Sequence, residues 1–162
     1  MRTYILTLSK VFPKTHKRAG EPTEFKEAFW NGQPFKKEEA ISKYRKLHTI
    51  RKNYVFWKKR MWEINHGQAQ LRIAQWIDKP YRSKQEEITT LDSDDLMTVQ
   101  KLTFQRDVDD NLLFFIDDRP AEITIEQLAA NDGLSLDDWM EWFKNYDMSE
   151  PMAIIQFTKF RY

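Results

Sequence analysis

Apolar positions recur along the chain with two different periods, and each change of period marks a change of element. Tyr4 to Leu8 is β-branched and aliphatic and predicts a first strand, followed by a basic loop from Pro13 to Gly20. Phe25, Ala28 and Phe29 share one helical face, with Thr23 as the expected N-cap and Asn31-Gly32 as the stop. Lys37 to Tyr44 is charged and predicts a short solvated helix. Thr49 and Ile50 favour strand. Tyr54, Trp57, Met61 and Ile64 then recur at spacings of three, four and three, between an Asn53 N-cap and a Gly67 at the C′ position. That helix is the clearest in the chain.

Gln70 to Ala74 alternates and predicts a strand with Leu71 and Ile73 inward; Lys79 to Arg82 is a turn, and Glu87 to Leu91 a further strand. Val99 to Gln105 and Asn111 to Ile116 flank the acidic tip Asp107-Val108-Asp109-Asp110 and predict a hairpin. Thr124-x-x-Gln127 has the form of a capping box, opening a short helix that ends near Asn131-Asp132-Gly133. Ser135 caps a second helix whose expected core face is Leu136, Trp139, Met140, Phe143 and Tyr146. Ala153 to Phe160 reads as the closing strand. Short strands with interspersed helices in a chain of 162 residues indicate a single α+β domain, residues 1–162, with a mixed or antiparallel sheet.

Composition removes several classes of chemistry. The absence of cysteine excludes disulfides, thiolate nucleophiles and cysteine-bearing zinc sites. His16, His48 and His66 are isolated and lack ligand spacing, so no metal or other cofactor is expected. The chain has no apolar run of membrane-spanning length and no signal peptide ahead of the first strand, so a cytoplasmic protein without membrane partners is expected. Glycine-rich phosphate loops, Gly-x-Ser-x-Gly and internal repeats are absent too. Charge is uneven: residues 1–90 carry 20 Lys+Arg against 9 Asp+Glu, whereas residues 91–162 carry 6 against 16. The split fits a basic face for nucleic acid, and equally two halves that neutralise each other in the fold.

One segment concentrates chemistry. Lys46-Leu47-His48-Thr49-Ile50-Arg51 sets an amine, a hydroxyl and a guanidinium within six residues at a strand entry. An exposed basic strand edge is the plain alternative. Residues three apart in a regular strand point to opposite faces, so Lys46 and Thr49 converge only if Lys46 precedes the strand or a bulge intervenes. Trp57 and Trp62 beside Lys58, Lys59 and Arg60 suggest base stacking, but a core stripe under a solvated face accounts for the same spacing.

Several landmarks fall in the order of the ASCH (activating-signal-cointegrator homology) domain family. The helix ending Asn31-Gly32 followed by Lys46-x-x-Thr49-Ile50-Arg51 resembles that family's helix-Gly and Lys-x-x-Thr-Ile-Arg. Gly67 with Leu71-Arg72-Ile73 looks like its Gly-Asp-x-Leu-x-Val segment. Asp132-Gly133-Leu134-Ser135-Leu136 is similar to its Glu-x-Met/Phe-x-x stretch, and Ile154-Ile155-Gln156-Phe157 to its last strand. The resemblance implies a PUA-like β-barrel with peripheral helices. It departs in the inserted Gln33 to Arg45, in the helix Tyr54 to His66, and in the hairpin between Val99 and Ile116. Small bacterial members hydrolyse the amide of N4-acetylcytidine, which carries the roles of proton acceptor to Lys46, nucleophile to Thr49 and, in place of a glutamate, proton donor to Asp132. A turn residue before Gly133 is the plain reading of Asp132.

Three functions follow. The first is a nucleoside or RNA amidohydrolase using Lys46, Thr49 and Asp132. In the second, the same cleft binds RNA or a modified nucleoside without chemistry, through Lys46, Arg51, Arg72 and Arg82 with Trp76 or Tyr81 stacking. The third is a protein-interaction module in which the acidic half, hairpin tip included, binds a basic partner.

Overall fold

A computed structural model describes residues 1–34 and 42–162. Its elements in order are β1 (Arg2–Thr7), α1 (Phe25–Gly32), β2 (His48–Lys52), α2 (Tyr54–Asn65), β3 (Ala69–Trp76), β4 (Gln85–Leu91), β5 (Thr98–Arg106), β6 (Leu112–Ile116), β7 (Arg119–Pro120), α3 (Ile125–Asn131), α4 (Leu136–Trp142) and β8 (Met152–Gln156). A single 3₁₀ turn, Ser93–Asp95, joins β4 to β5. The strands form a three-stranded sheet β1-β3-β4 and a five-stranded sheet β2-β8-β5-β6-β7. β1 and β3 run parallel, and the remaining ladders are antiparallel. The fold is α+β with mixed pairing. The expected closed barrel is absent among the described residues, because no ladder joins the edge strands β1 and β4 of one sheet to β2 and β7 of the other.

β8 is buried at all five positions, with β2 on one side and β5 on the other, and explains itself by composition: Met152, Ala153, Ile154 and Ile155 fit a strand covered on both faces. Leu71, Ile73, Leu102, Phe29, Trp139 and Phe157 share its core, each fully buried. Gln156 and Gln100 are buried among them, and the Gln156 amide nitrogen donates to Gln100 Oε1 at 3.1 Å, while Gln156 Oε1 is left without a partner among the described residues.

The α2 helix follows its spacing. Asn53 takes a left-handed backbone conformation and its side chain accepts the Phe56 N–H at 3.2 Å, while Trp57, Met61 and Ile64 are buried. Trp62 is 54 % exposed and stacks on His66, and Arg60 lies over the rings of Tyr4, Phe56 and Trp57. The charge split is partly neutralised internally, since Arg18 of the basic loop bonds Asp138 on α4 at 2.5 Å and Lys17 pairs with Asp137.

Three local expectations change. Thr23 is not the cap of α1: Glu24 occupies that position without a side-chain bond, and the Thr23 hydroxyl donates to the Ser9 carbonyl at 2.6 Å. Met140 is exposed, because α4 turns Trp139 and Phe143, four residues apart, inward and leaves Met140 one step round the helix. The closing strand stops at Gln156, after which the Phe157 N–H bonds the Leu47 carbonyl. The helix expected over Lys37 to Tyr44 falls largely on residues 35–41, outside the described residues. No helix among the described residues is long and apolar enough to cross a membrane.

Candidate functional site

Lys46 lies in the loop just before β2, so strand alternation does not bind it. Thr49 and Arg51, two apart on β2, face the same way, and Lys46 reaches their cavity from the loop. The loop is held at both neighbours: the Lys46 N–H donates to the Ala28 carbonyl of α1 and the Leu47 N–H to the Asn131 carbonyl of α3, each at 2.8 Å. The Asn131 carbonyl, at the C-terminal end of α3, is one that a helix leaves unpaired. Two glycines permit the approach. A Cβ on Gly32 would stand 3.0 Å from the Lys46 carbonyl oxygen, and Gly133, at φ +88°, lies against the Lys46 stem.

The Lys46 amine is 2.9 Å from Asp132 Oδ1 and 2.6 Å from the Asp132 carbonyl oxygen, and 4.2 Å above the Phe25 ring. Lys46, His48, Thr49 and Asp132 are all buried. Burial lowers the Lys46 ammonium from its ordinary range, with Arg51 adding repulsion, and Asp132 only partly opposes this. Burial alone would raise Asp132, but the charge of Lys46 and the His48 ring together hold it below the usual carboxylate range. The guanidinium of Arg51 is pulled down by desolvation; it donates to the Thr7 carbonyl at 2.5 Å and approaches the Thr49 hydroxyl at 3.4 Å.

These groups open onto a cavity of about 170 Å³ lined by Lys46, Thr49, Arg51 and Asp132, with aromatic walls from Phe25, Trp142 and Tyr146. That volume lies below the roughly 300–1,000 Å³ of sites for drug-sized ligands, and suits one planar ring or an acyl group. The chemistry available is an amine and a carboxylate in proton contact, a hydroxyl beside them and a guanidinium for an anion.

The other expected binding residues lie elsewhere. Arg72, on β3 of the three-stranded sheet, faces Glu87 at 3.4 Å; Trp76 pairs with Tyr81 at 5.1 Å between ring centres; Tyr81 and Arg82 sit exposed on the turn after β3. None of the four lines the Lys46 cavity, because β3 belongs to the other sheet. Conversely, His48, Asn131 and Tyr162 carry contacts that spacing did not reveal. His48 Nδ1 is 3.7 Å from Asp132 Oδ1, and its Nε2 is 2.5 Å from the Tyr162 hydroxyl. A signal existed for His48, which alternates with Ile50 on the inward side of β2; none existed for Tyr162. No group of three or more His, Asp or Glu residues able to hold a metal occurs among the described residues.

Comparison with protein-family models, with curated proteins and with solved structures finds no match to the chain.

Proposed function

We propose that the chain is an ASCH-like protein that takes a modified nucleoside, free or within RNA, into the Lys46 cavity and hydrolyses an N4-acylcytidine amide. One observation carries the reading: Lys46, Thr49 and Arg51 line a single cavity with Asp132, from two segments distant in sequence. The PUA-like ancestry belongs to the same proposal, supported by a mixed sheet and an antiparallel sheet packed on one core.

In the resting pair Asp132 is ionised and Lys46 charged, so neither role is available until a proton crosses the 2.9 Å contact between them. Burial favours that crossing, because it replaces two charges with two neutral groups. The Lys46 amine then accepts the Thr49 hydroxyl proton as the oxygen attacks the acyl carbon. Asp132 gives its proton to the exocyclic nitrogen as the C–N bond breaks, and the ion pair is restored. Water releases the acyl group from Thr49 as a carboxylic acid. Arg51 faces the developing oxyanion.

The test is release of cytidine and acetate from N4-acetylcytidine. Turnover is expected to fall to background in Thr49→Val and to return partly in Thr49→Ser; no release by the intact protein would sink the hydrolytic reading. A second reading, binding without chemistry, is favoured by the two hydrogen bonds that engage the Lys46 ammonium. It predicts RNA affinity that falls with salt, by about one unit of slope for each phosphate contact removed.

A further inference from the structure

Behind the cavity, a second set of buried groups determines which hydrogen faces the Asp132 carboxylate. Tyr162 is fixed along its whole length: its N–H donates to Gln100 Oε1 at 3.0 Å, its carbonyl accepts from Gln100 Nε2 at 3.3 Å, and its ring meets His48 edge-on at 5.5 Å. Gln100 is in turn held by Gln156 and Asp117. Asn131 Nδ2 donates to the Tyr162 hydroxyl at 2.9 Å. An amide nitrogen can only donate, so the hydroxyl oxygen accepts there with one of its two lone pairs, and its own hydrogen has no acceptor within hydrogen-bond distance among the described residues except His48 Nε2, 2.5 Å away.

Nε2 is therefore an acceptor, and a neutral ring must carry its hydrogen on Nδ1. Nδ1 is buried with no hydrogen-bond partner among the described residues, and Asp132 Oδ1 stands 3.7 Å from it. That separation is an electrostatic contact rather than a full hydrogen bond, and its sign depends on the tautomer. An N–H there attracts the carboxylate; a lone pair repels it. A doubly protonated ring would leave the Tyr162 hydrogen without an acceptor, and burial beside Lys46 opposes the second charge.

We propose that Asn131 and Tyr162 lock His48 as its Nδ1–H tautomer, and that the ring is a positioning residue which turns the Asp132 carboxylate toward Lys46. The idea rests on the reading of Lys46, Thr49 and Asp132 as the working site. Lys46 Nζ and His48 Nδ1 both face Asp132 Oδ1, at 2.9 and 3.7 Å, and His48 is the one of the two that is not a proton-transfer partner. The arrangement follows the general logic of a base oriented by a third group.

The experiment combines nitrogen-15 NMR of the His48 ring, carbon-13 NMR of the Asp132 carboxyl and turnover of N4-acetylcytidine, in the intact chain and in Tyr162→Phe. The phenyl ring retains the packing while removing the hydroxyl. The intact protein is expected to show a protonated Nδ1 and a bare Nε2; a protonated Nε2 overturns the lock. In Tyr162→Phe a tautomer mixture should appear, the Asp132 resonance should move, and kcat should fall on the order of tenfold with KM little changed, as for weakening of an interaction made only in the transition state. If the tautomer changes while the Asp132 resonance stays fixed, the positioning role is overturned. Absence of turnover in the intact protein refutes hydrolysis alone, because both NMR measurements decide this proposal without substrate.

Discussion

Replacing Lys46 by methionine removes an ammonium of similar length and leaves Asp132 ionised in a buried place. Asp132 is 3 % exposed and Lys46 2 %, so water does not replace the lost partner. Breaking a buried pair from one side costs about 3–5 kcal/mol, a large share of the about 5–15 kcal/mol by which a domain is stable. Adding Asp132→Asn removes the stranded charge, so the double variant is expected to be more stable than Lys46→Met alone. The pH dependence of the Asp132 contribution should reverse as well. In the intact chain Asp132 is held low, so its contribution is present above the unfolded carboxyl range, about pH 4, and lost as pH falls. Without Lys46, burial is opposed only by His48 and Arg51 and the folded carboxyl rises. Both proteins lose stability from pH 7 to pH 5 as the unfolded His48 takes up a proton that the buried ring resists, but the variant should lose less than the intact chain, as Asp132 takes up a proton. Urea denaturation at both pH values measures each quantity. A cost below about 1 kcal/mol for Lys46→Met, or further loss on adding Asp132→Asn, would refute the buried-pair account.

Further outcomes follow from single positions. Gly32→Ala pushes a Cβ to 3.0 Å from a backbone oxygen, so about 1–3 kcal/mol should be lost and the Lys46 amide resonance displaced; an unchanged resonance would contradict the close approach. Gly20→Ala, at φ +83° in open space, should cost only backbone strain, about 1–2 kcal/mol, and leave that resonance alone. Asn53→Ala should lower stability by about 1 kcal/mol in thermal unfolding through loss of the α2 cap. Tyr162 is pushed far above the ordinary phenol range by burial. Its contribution is thus full below about pH 10 and lost as pH rises, so one tyrosine should escape spectrophotometric titration until alkaline unfolding.

Element types were legible wherever one period ran without interruption. Trp57, Met61 and Ile64 marked α2, and the acidic tip marked the β5–β6 hairpin, because local spacing alone decides both. The segment from Lys46 to Arg51 also stood out by residue type. Its convergence with Asp132 was not legible from periodicity, since it depends on where β2 begins and on a close approach allowed by Gly32 and Gly133. Arg72 and Trp76 looked like site residues because they share a basic, aromatic stretch, yet sheet membership removed them from the cavity. Tyr162 gave no pattern because its role comes from contacts with His48, Asn131 and Gln100, all distant in sequence.

The pairing of β2 with β8 also has a meaning for the order in which the molecule comes into being. Among the described residues β2 is an edge strand with β8 as its one ladder partner, Thr49 standing opposite Ile155. During synthesis the lysine, threonine and arginine emerge early, and the strand that holds two of them waits for nearly the whole remaining chain. Pairings so distant in sequence are slow to close. The waiting strand is meanwhile open to wrong partners. A nascent or clipped chain lacking β8 should therefore own every polar group of the cavity except a frame to mount them on.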